Sequence, residues 1–181
     1  MEQSSLQGVN QQVSLEAKMG WLGGIIDGEG HIGLGRYQDN KYVFQPRFEI
    51  VNTNKLIIDT YQKFFDEFQF PYHVRYIPET QRNKAQWRIC TQGFKRLYKI
   101  LPIIIPYLIG KKQVALWLLE LIESRLKLNS NSVAPSKRKW SEDELKLADK
   151  INNFNKRRFS KTPETIRQTL PKCNEDIVRT E

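Results

Sequence analysis

The stretch Trp21-Leu22-Gly23-Gly24-Ile25-Ile26-Asp27-Gly28-Glu29-Gly30 decides how this chain is read. It reads as a short apolar helix that ends in two carboxylates among glycines. Gly20, Gly24 and Gly28 recur every fourth residue, so on a helix they share one face. A glycine costs a helix interior about 1 kcal/mol relative to alanine. Such a stripe calls for another backbone at very close range. Leu22, Ile25 and Ile26 take the opposite side and suit a core. Asp27 and Glu29 fall at the C-terminal end, where the helix dipole disfavours negative charge. A cation beside them, such as a metal ion, would offset it.

Working outward from this helix, residues 1–14 are rich in Gln, Ser and Asn and read as a mobile leader. The helix starts near Ser14 or Leu15 and stops at Gly28 or Gly30. His31 to Tyr37 then alternates, with Ile32 and Leu34 on one side and His31, Gly33, Gly35 and Tyr37 on the other. Asp39-Asn40 is a turn signal. Tyr42 to Asn52 is the clearest strand. Phe44, Phe48 and Ile50 form its inner face, and Gln45, Arg47 and Glu49 its outer face. Pro46 lacks an N–H and predicts an edge or a bulge. Asn52-Thr53-Asn54 ends the strand and supplies a helix N-cap. Lys55 to about Phe68 has helical spacing at Leu56, Ile57, Tyr61, Phe64, Phe65 and Phe68.

A second strand pair follows, Tyr72 to Ile77 and Ala85 to Thr91, joined by the polar loop Pro78 to Lys84. Gly93 begins a helix through Leu101. Beyond Pro102 and Pro106 a longer helix runs from about Lys111 to Leu126, burying Val114, Leu118, Leu121 and Ile122. Residues 128–139 read as a linker ending in Lys137-Arg138-Lys139. Ser141-Glu142-Asp143-Glu144 fits a capping box, which predicts a helix to about Phe154. Lys156-Arg157-Arg158 is a second basic run. Thr162-Pro163 predicts a short last helix to Leu170.

Composition narrows the function. A length of 181 residues, 39% hydrophobic and 11% aromatic, suits one folded domain with an appendage. The net charge of +9 calls for a polyanionic partner, most simply nucleic acid. Cys90 and Cys173 are far apart and show no CxxC spacing, which argues against a disulfide scaffold and a zinc site. The opening segment shows no signal peptide and lacks the arginines of a transit peptide. Leu101 to Ile109 is apolar but short and holds Pro102 and Pro106, so it is no membrane span.

Leu22 to Gly30 resembles, position for position, the LAGLIDADG signature of homing endonucleases. Gly23 stands where the signature has Ala, and Glu29 where it has the catalytic Asp, both substitutions the family admits. The element order from Lys18 to Leu126 is similar to the whole core of a single-motif member, and the helices beyond resemble the family's variable extension. The resemblance implies an α+β fold. Residues 15–127 would form an αββαββα core whose curved antiparallel sheet saddles DNA, and residues 128–181 a basic linker and helical extension. It implies a site-specific double-strand DNA endonuclease, acting on a long near-palindromic site by Mg²⁺-dependent phosphodiester hydrolysis. Mn²⁺ would substitute, and Ca²⁺ would support binding without cutting. Such proteins are commonly encoded by mobile introns, which implies an organellar or microbial cytoplasmic setting.

The resemblance also assigns residues. The last acid of the motif, Glu29, would bind the metal directly, with the carbonyl of Gly28 as a second ligand. Asp27 would be a structural neighbour of the site. The polar residue at the end of the second strand is Asn52, which would either hold a water or merely end the turn. The family's lysine five residues past a proline matches Lys111 after Pro106. It would stabilise negative charge or polarise the nucleophile, unless Lys111 and Lys112 are a solvated helix start. Where the family often carries a second basic residue, this chain has Leu56, a departure. DNA reading would fall to Gly33, Gly35, Tyr37, Gln45, Arg47, Glu49, His73, Arg75, Gln86 and Arg88 on the sheet's outer face. The runs Lys137-Arg138-Lys139 and Lys156-Arg157-Arg158 would touch phosphates.

Cutting a duplex needs one active site per strand, and the chain has one acidic helix end. Two subunits about a two-fold axis would supply both sites, meeting along Gly20, Trp21, Gly24, Asp27 and Gly28. Two other readings stay open: an intron maturase that binds its host intron RNA, and a non-catalytic DNA-binding regulator.

Overall fold

The computed structural model describes residues 14–36, 44–127 and 139–159. Tyr37, the Asp39-Asn40 turn, most of the linker including Lys137 and Arg138, and the expected Thr162–Leu170 helix all lie outside them.

Helix α1 spans Leu15–Glu29. The Ser14 hydroxyl caps its start, accepting from Ala17 N–H at 3.2 Å. Met19, Leu22 and Ile26 enter the core. At Gly30 the backbone turns extended and passes directly into β1 (Gly30–Arg36). Strand β2 (Phe44–Asn52) follows, then α2 (Lys55–Glu67), β3 (His73–Ile77) and β4 (Gln86–Gln92). Asn54 caps α2 by accepting from Leu56 N–H at 3.0 Å. Helix α3 (Phe94–Ile104) leads through a 3₁₀ turn, Ile105–Tyr107, to α4 (Lys112–Lys127) and α5 (Glu142–Phe159). The architecture is α+β, with the order αββαββ followed by helices, as the sequence predicts.

The strands form one antiparallel sheet in the order β1-β2-β4-β3. The hairpins β1–β2 and β3–β4 are thus joined through β2 and β4. Period-2 alternation gives the sheet two different faces. Ile32, Phe48, Ile50 and Ile89 are fully buried against Leu22, Ile26, Ile58, Phe65 and Leu97 from the helices. The other face carries the polar set of every strand.

Several expectations need correction. Pro46 marks no outer edge, because β2 is an inner strand. Pro46 pairs with Leu34 of β1, and the ladder to β4 begins one residue later at Arg47, so its missing N–H falls where only one neighbour is present. Leu56 does not join the apolar face of α2 but is 71% exposed, and Ile58 is buried instead. Pro102 lies inside α3 rather than after it. Helix α5 continues past Phe154 to Phe159. No helix among the described residues is long and apolar enough to cross a membrane.

The C-terminal extension docks as part of the core. Ser141 and Glu144 form the predicted capping box: Glu144 N–H donates to Ser141 Oγ at 3.2 Å, and Ser141 N–H to Glu144 Oε2 at 2.9 Å. The same carboxylate accepts from Arg125 Nη1 of α4 at 2.8 Å, with both side chains buried. The Arg125 guanidinium also lies over the Trp140 ring, 4.1 Å from its centroid. At the far end of α5, Asn155 Nδ2 donates to Ile32 O at 3.1 Å. This tie covers part of the edge strand β1.

Candidate functional site

The C-terminal end of α1 is built by a contact across the chain. Asp27 Oδ2 accepts from the N–H groups of Ile109 and Gly110 at 2.7 and 3.0 Å, and Oδ1 from that of Lys111 at 2.8 Å. Partial burial alone would push this carboxyl up. The three N–H donors, helped by the Lys111 charge, outweigh it and hold Asp27 below the ordinary carboxylate range. Lys111 is buried at 6% exposure, so it is no solvated helix start. Its ammonium donates to Ile26 O at 2.8 Å and also to Asp27 O. The last carbonyls of a helix lack partners within it; here the lysine serves Asp27 O and adds a second donor to Ile26 O, which already accepts from Gly30 N–H, at the negative end of the dipole. The offsetting cation is therefore partly internal.

Glu29 differs from Asp27. It is exposed at the last position of α1, and Gly28 before it is exposed too. Nothing lies within 4 Å of where a Cβ would stand on Gly28. A carboxylate and a backbone carbonyl are both hard-oxygen donors of the kind that Mg²⁺ takes. Gly30 pairs with Ile50, so Glu29 and Asn52 lie at the same end of the β1–β2 ladder. Asn52 Oδ1 accepts from Asn54 N–H at 2.7 Å, which gives it the turn role. Its amide nitrogen remains as a donor.

Tyr61 is a feature that sequence reasoning assigned only to the core. Its ring is fully buried and packs 5.3 Å from Trp21, yet its hydroxyl has no hydrogen-bond partner among the described residues. Burial, with the Glu29 charge adding to it, pushes the phenol well above its ordinary value.

The glycine stripe separates into two roles. The close backbone contact falls at Gly23, off the stripe: a Cβ there would run into the carbonyl of Tyr107. Gly20, Gly24 and Gly28 meet nothing within 4 Å in their own chain. Trp21 beside them is 37% exposed.

Register brings the outer-face residues together. Gly35 lies opposite Gln45; Gly33 opposite Arg47 and then Gln92; His31 opposite Glu49, Cys90 and His73; Val51 opposite Arg88 and Arg75; and Gln86 opposite Ile77. Gln45, Arg47, Glu49, His73, Arg75, Gln86 and Arg88 do share one face. Gln92 belongs with them, missed because β4 runs one residue beyond its alternation pattern. His31 also belongs; burial, opposed by Glu49 and reinforced by Arg47 and Lys111, lowers its pKa. Gly33 must be withdrawn: it is buried, and a Cβ there would stand 2.7 Å from Asn155 Nδ2 of α5. Lys139 is exposed. The backbone of Lys156-Arg157-Arg158 lies on the last turns of α5.

This architecture is that of the LAGLIDADG homing endonucleases. The chain is similar to I-CvuI, solved in complex with the I-CreI target, with a TM-score of 0.56 over 84% of this chain and 92% of that one at 21% identity. It is also similar to the archaeal intron-encoded I-Vdi141I, solved with DNA (TM-score 0.50, 15% identity, 78% of this chain and 99% of that one). I-TnaI matches likewise, with a TM-score of 0.50 over 77% of this chain and 96% of that one, at 15% identity. No protein-family profile and no curated protein sequence matches the chain.

Proposed function

We propose that this chain is a LAGLIDADG homing endonuclease that acts as a homodimer on a long, near-palindromic DNA site. The observation that carries the reading is Glu29: an exposed carboxylate at the end of a signature helix whose neighbouring acid, Asp27, is engaged in holding the fold. A non-catalytic scaffold has no need of an acid left open there. The I-CvuI and I-Vdi141I structures of the same fold are described as DNA complexes.

In this mechanism Glu29 and the Gly28 carbonyl would hold Mg²⁺. When bound, the metal stabilises charge on the phosphate and leaving oxygen and makes water a better nucleophile. Lys111 pins the last turn of α1 and keeps positive charge one turn behind Glu29. Asn52, its oxygen committed to the turn, holds a water through its amide nitrogen. Asp27 fixes the 109–111 turn that carries Lys111. The second subunit meets the first along Gly20, Trp21, Gly24 and Gly28, bringing two acidic helix ends together, one per strand. Gln45, Arg47, His73, Arg75, Gln86, Gln92 and Arg88 face the major groove. Lys137-Arg138-Lys139 and the basic end of α5 take phosphates.

The test is selection of a binding site from a random DNA library in Ca²⁺, then addition of Mg²⁺, for wild type beside Glu29→Gln. The expected result is one near-palindromic site bound by both proteins and cut in both strands by wild type alone. Binding without cutting would make the chain a DNA-binding regulator. Recovery of no DNA site would move the assignment to an intron maturase, with the host intron RNA as ligand.

A further inference from the structure

Among the described residues, the strands of the sheet's outer face carry a single carboxylate, beside their cations. Glu49 lies midway along β2, with His31 beside it on β1 and Cys90, then His73, beyond it on β4 and β3. Arg47 Nη2 donates to Glu49 Oε2, and Arg88 Nε lies 3.5 Å from that same oxygen. Exposure is 15% for the Glu49 side chain, 26% for Arg47 and 30% for Arg88. The Nε atoms of both arginines are buried and make no hydrogen bond among the described residues. Arg75 stands directly opposite Arg88 across the β3–β4 pair, a like-charge placement that repels.

A residue that reads cytosine needs its carboxylate oxygens available to accept from the base. Glu49 Oε2 is already shared by two guanidiniums. Those guanidiniums in turn keep donors that the carboxylate does not serve, since arginine carries five N–H groups and cannot lose its charge. The cluster is thus over-supplied with donors and organised by one acceptor.

We propose that Glu49 is a specificity-determining residue that reads no base. It holds Arg47 and Arg88 in a fixed relation in the free protein and competes with DNA for their donors. A cognate site replaces the Arg–Glu contacts with paired bonds to base edges. A random duplex offers phosphates in their place and meets the repulsion of a carboxylate at the centre of the face. Glu49 therefore lowers non-specific affinity more than specific affinity. This inference rests on the DNA-binding reading above.

The experiment titrates a fluorescein-labelled random-sequence duplex with the full chain by anisotropy over a range of sodium chloride. Wild type, Glu49→Gln and Glu49→Asp are compared, and library selection is repeated with each. Glu49→Gln is expected to bind the random duplex about tenfold tighter. Its salt slope should steepen by about one unit, as one more phosphate contact would give. Its selected site should lose information across the positions read by Arg47 and Arg88. Glu49→Asp, which keeps the charge, should return non-specific affinity toward wild type. If Glu49→Gln weakens binding and changes one base pair only, Glu49 is a base contact and the proposal fails. Unchanged binding and selection also defeat it. If wild type binds no duplex at all, the DNA-binding reading fails. NMR exchange of the Arg47 and Arg88 guanidinium protons, Nη as well as Nε, then judges the clamp alone: faster exchange in Glu49→Gln supports it, and no change rejects it.

Discussion

Two arginine–glutamate arrangements among the described residues do opposite work. Arg125 and Glu144 are 1% and 5% exposed, and the carboxylate also accepts from Ser141 N–H and Ser124 Oγ. Arg125 in addition faces the rings of Trp140 and Phe94. That pair is saturated and closed, and it fastens α5 to α4. Arg47, Glu49 and Arg88 lie on an open face, and their buried Nε atoms make no hydrogen bond among the described residues. Saturation marks a structural pair; surplus of one sign marks a surface made to receive the other sign.

The sharpest way to break this contrast is to remove one partner from each cluster. Arg125→Ala or Glu144→Ala leaves a charge buried without its partner, which costs roughly 3–5 kcal/mol. Denaturant unfolding should read that loss, and hydrogen exchange should show α5 losing protection. Glu49→Ala should cost less than about 1 kcal/mol, because the pair is partly exposed and its arginines can turn to water. Equal losses at the two clusters would overturn the distinction.

Asp27 ranks between them. It belongs to the closed class, since its oxygens accept from Ile109, Gly110 and Lys111. Asp27→Ala removes the acceptor of these N–H groups and should cost roughly 1–3 kcal/mol. The folded-state pKa is lowered. The stabilisation is therefore fully present above the unfolded value of about 3.9 and lost as pH falls through the lower folded value. Melting temperatures of wild type should fall more steeply than those of Asp27→Asn across that acidic window. Parallel curves would mean that Asp27 does not hold the 109–111 turn in its charged form.

These clusters also divide what could be read from the sequence from what could not. Helix α1, the alternation of β1, β2 and β4 and the Ser141–Glu144 capping box were legible because each is set by residues within a few positions of one another. The second function of Glu144 was not, since Arg125 reaches it from a different helix. The order β1-β2-β4-β3 likewise depends on pairing between distant strands. In the candidate site, Glu29 and the outer-face residues followed from motif and period. The locking of Asp27 by Ile109 and of Ile26 O by Lys111 joins segments more than 80 residues apart, and no local pattern records it. The covering of Gly33 by Asn155 is hidden for the same reason.

The smallest expected effect is at Tyr61. Tyr61 presents a buried hydroxyl with no partner among the described residues, so in stability terms it is a cost. Tyr61→Phe keeps the ring against Trp21 and Phe65 and removes only the orphan. The unfolding free energy should stay within about 0.5 kcal/mol of wild type or rise. A purely packing role predicts that DNA cleavage in Mg²⁺ is unchanged as well. If cleavage falls while stability holds and site binding in Ca²⁺ is intact, the hydroxyl serves the reaction. Tyr61 would then join the open class, as a donor kept without a partner in the fold because its partner arrives with the substrate.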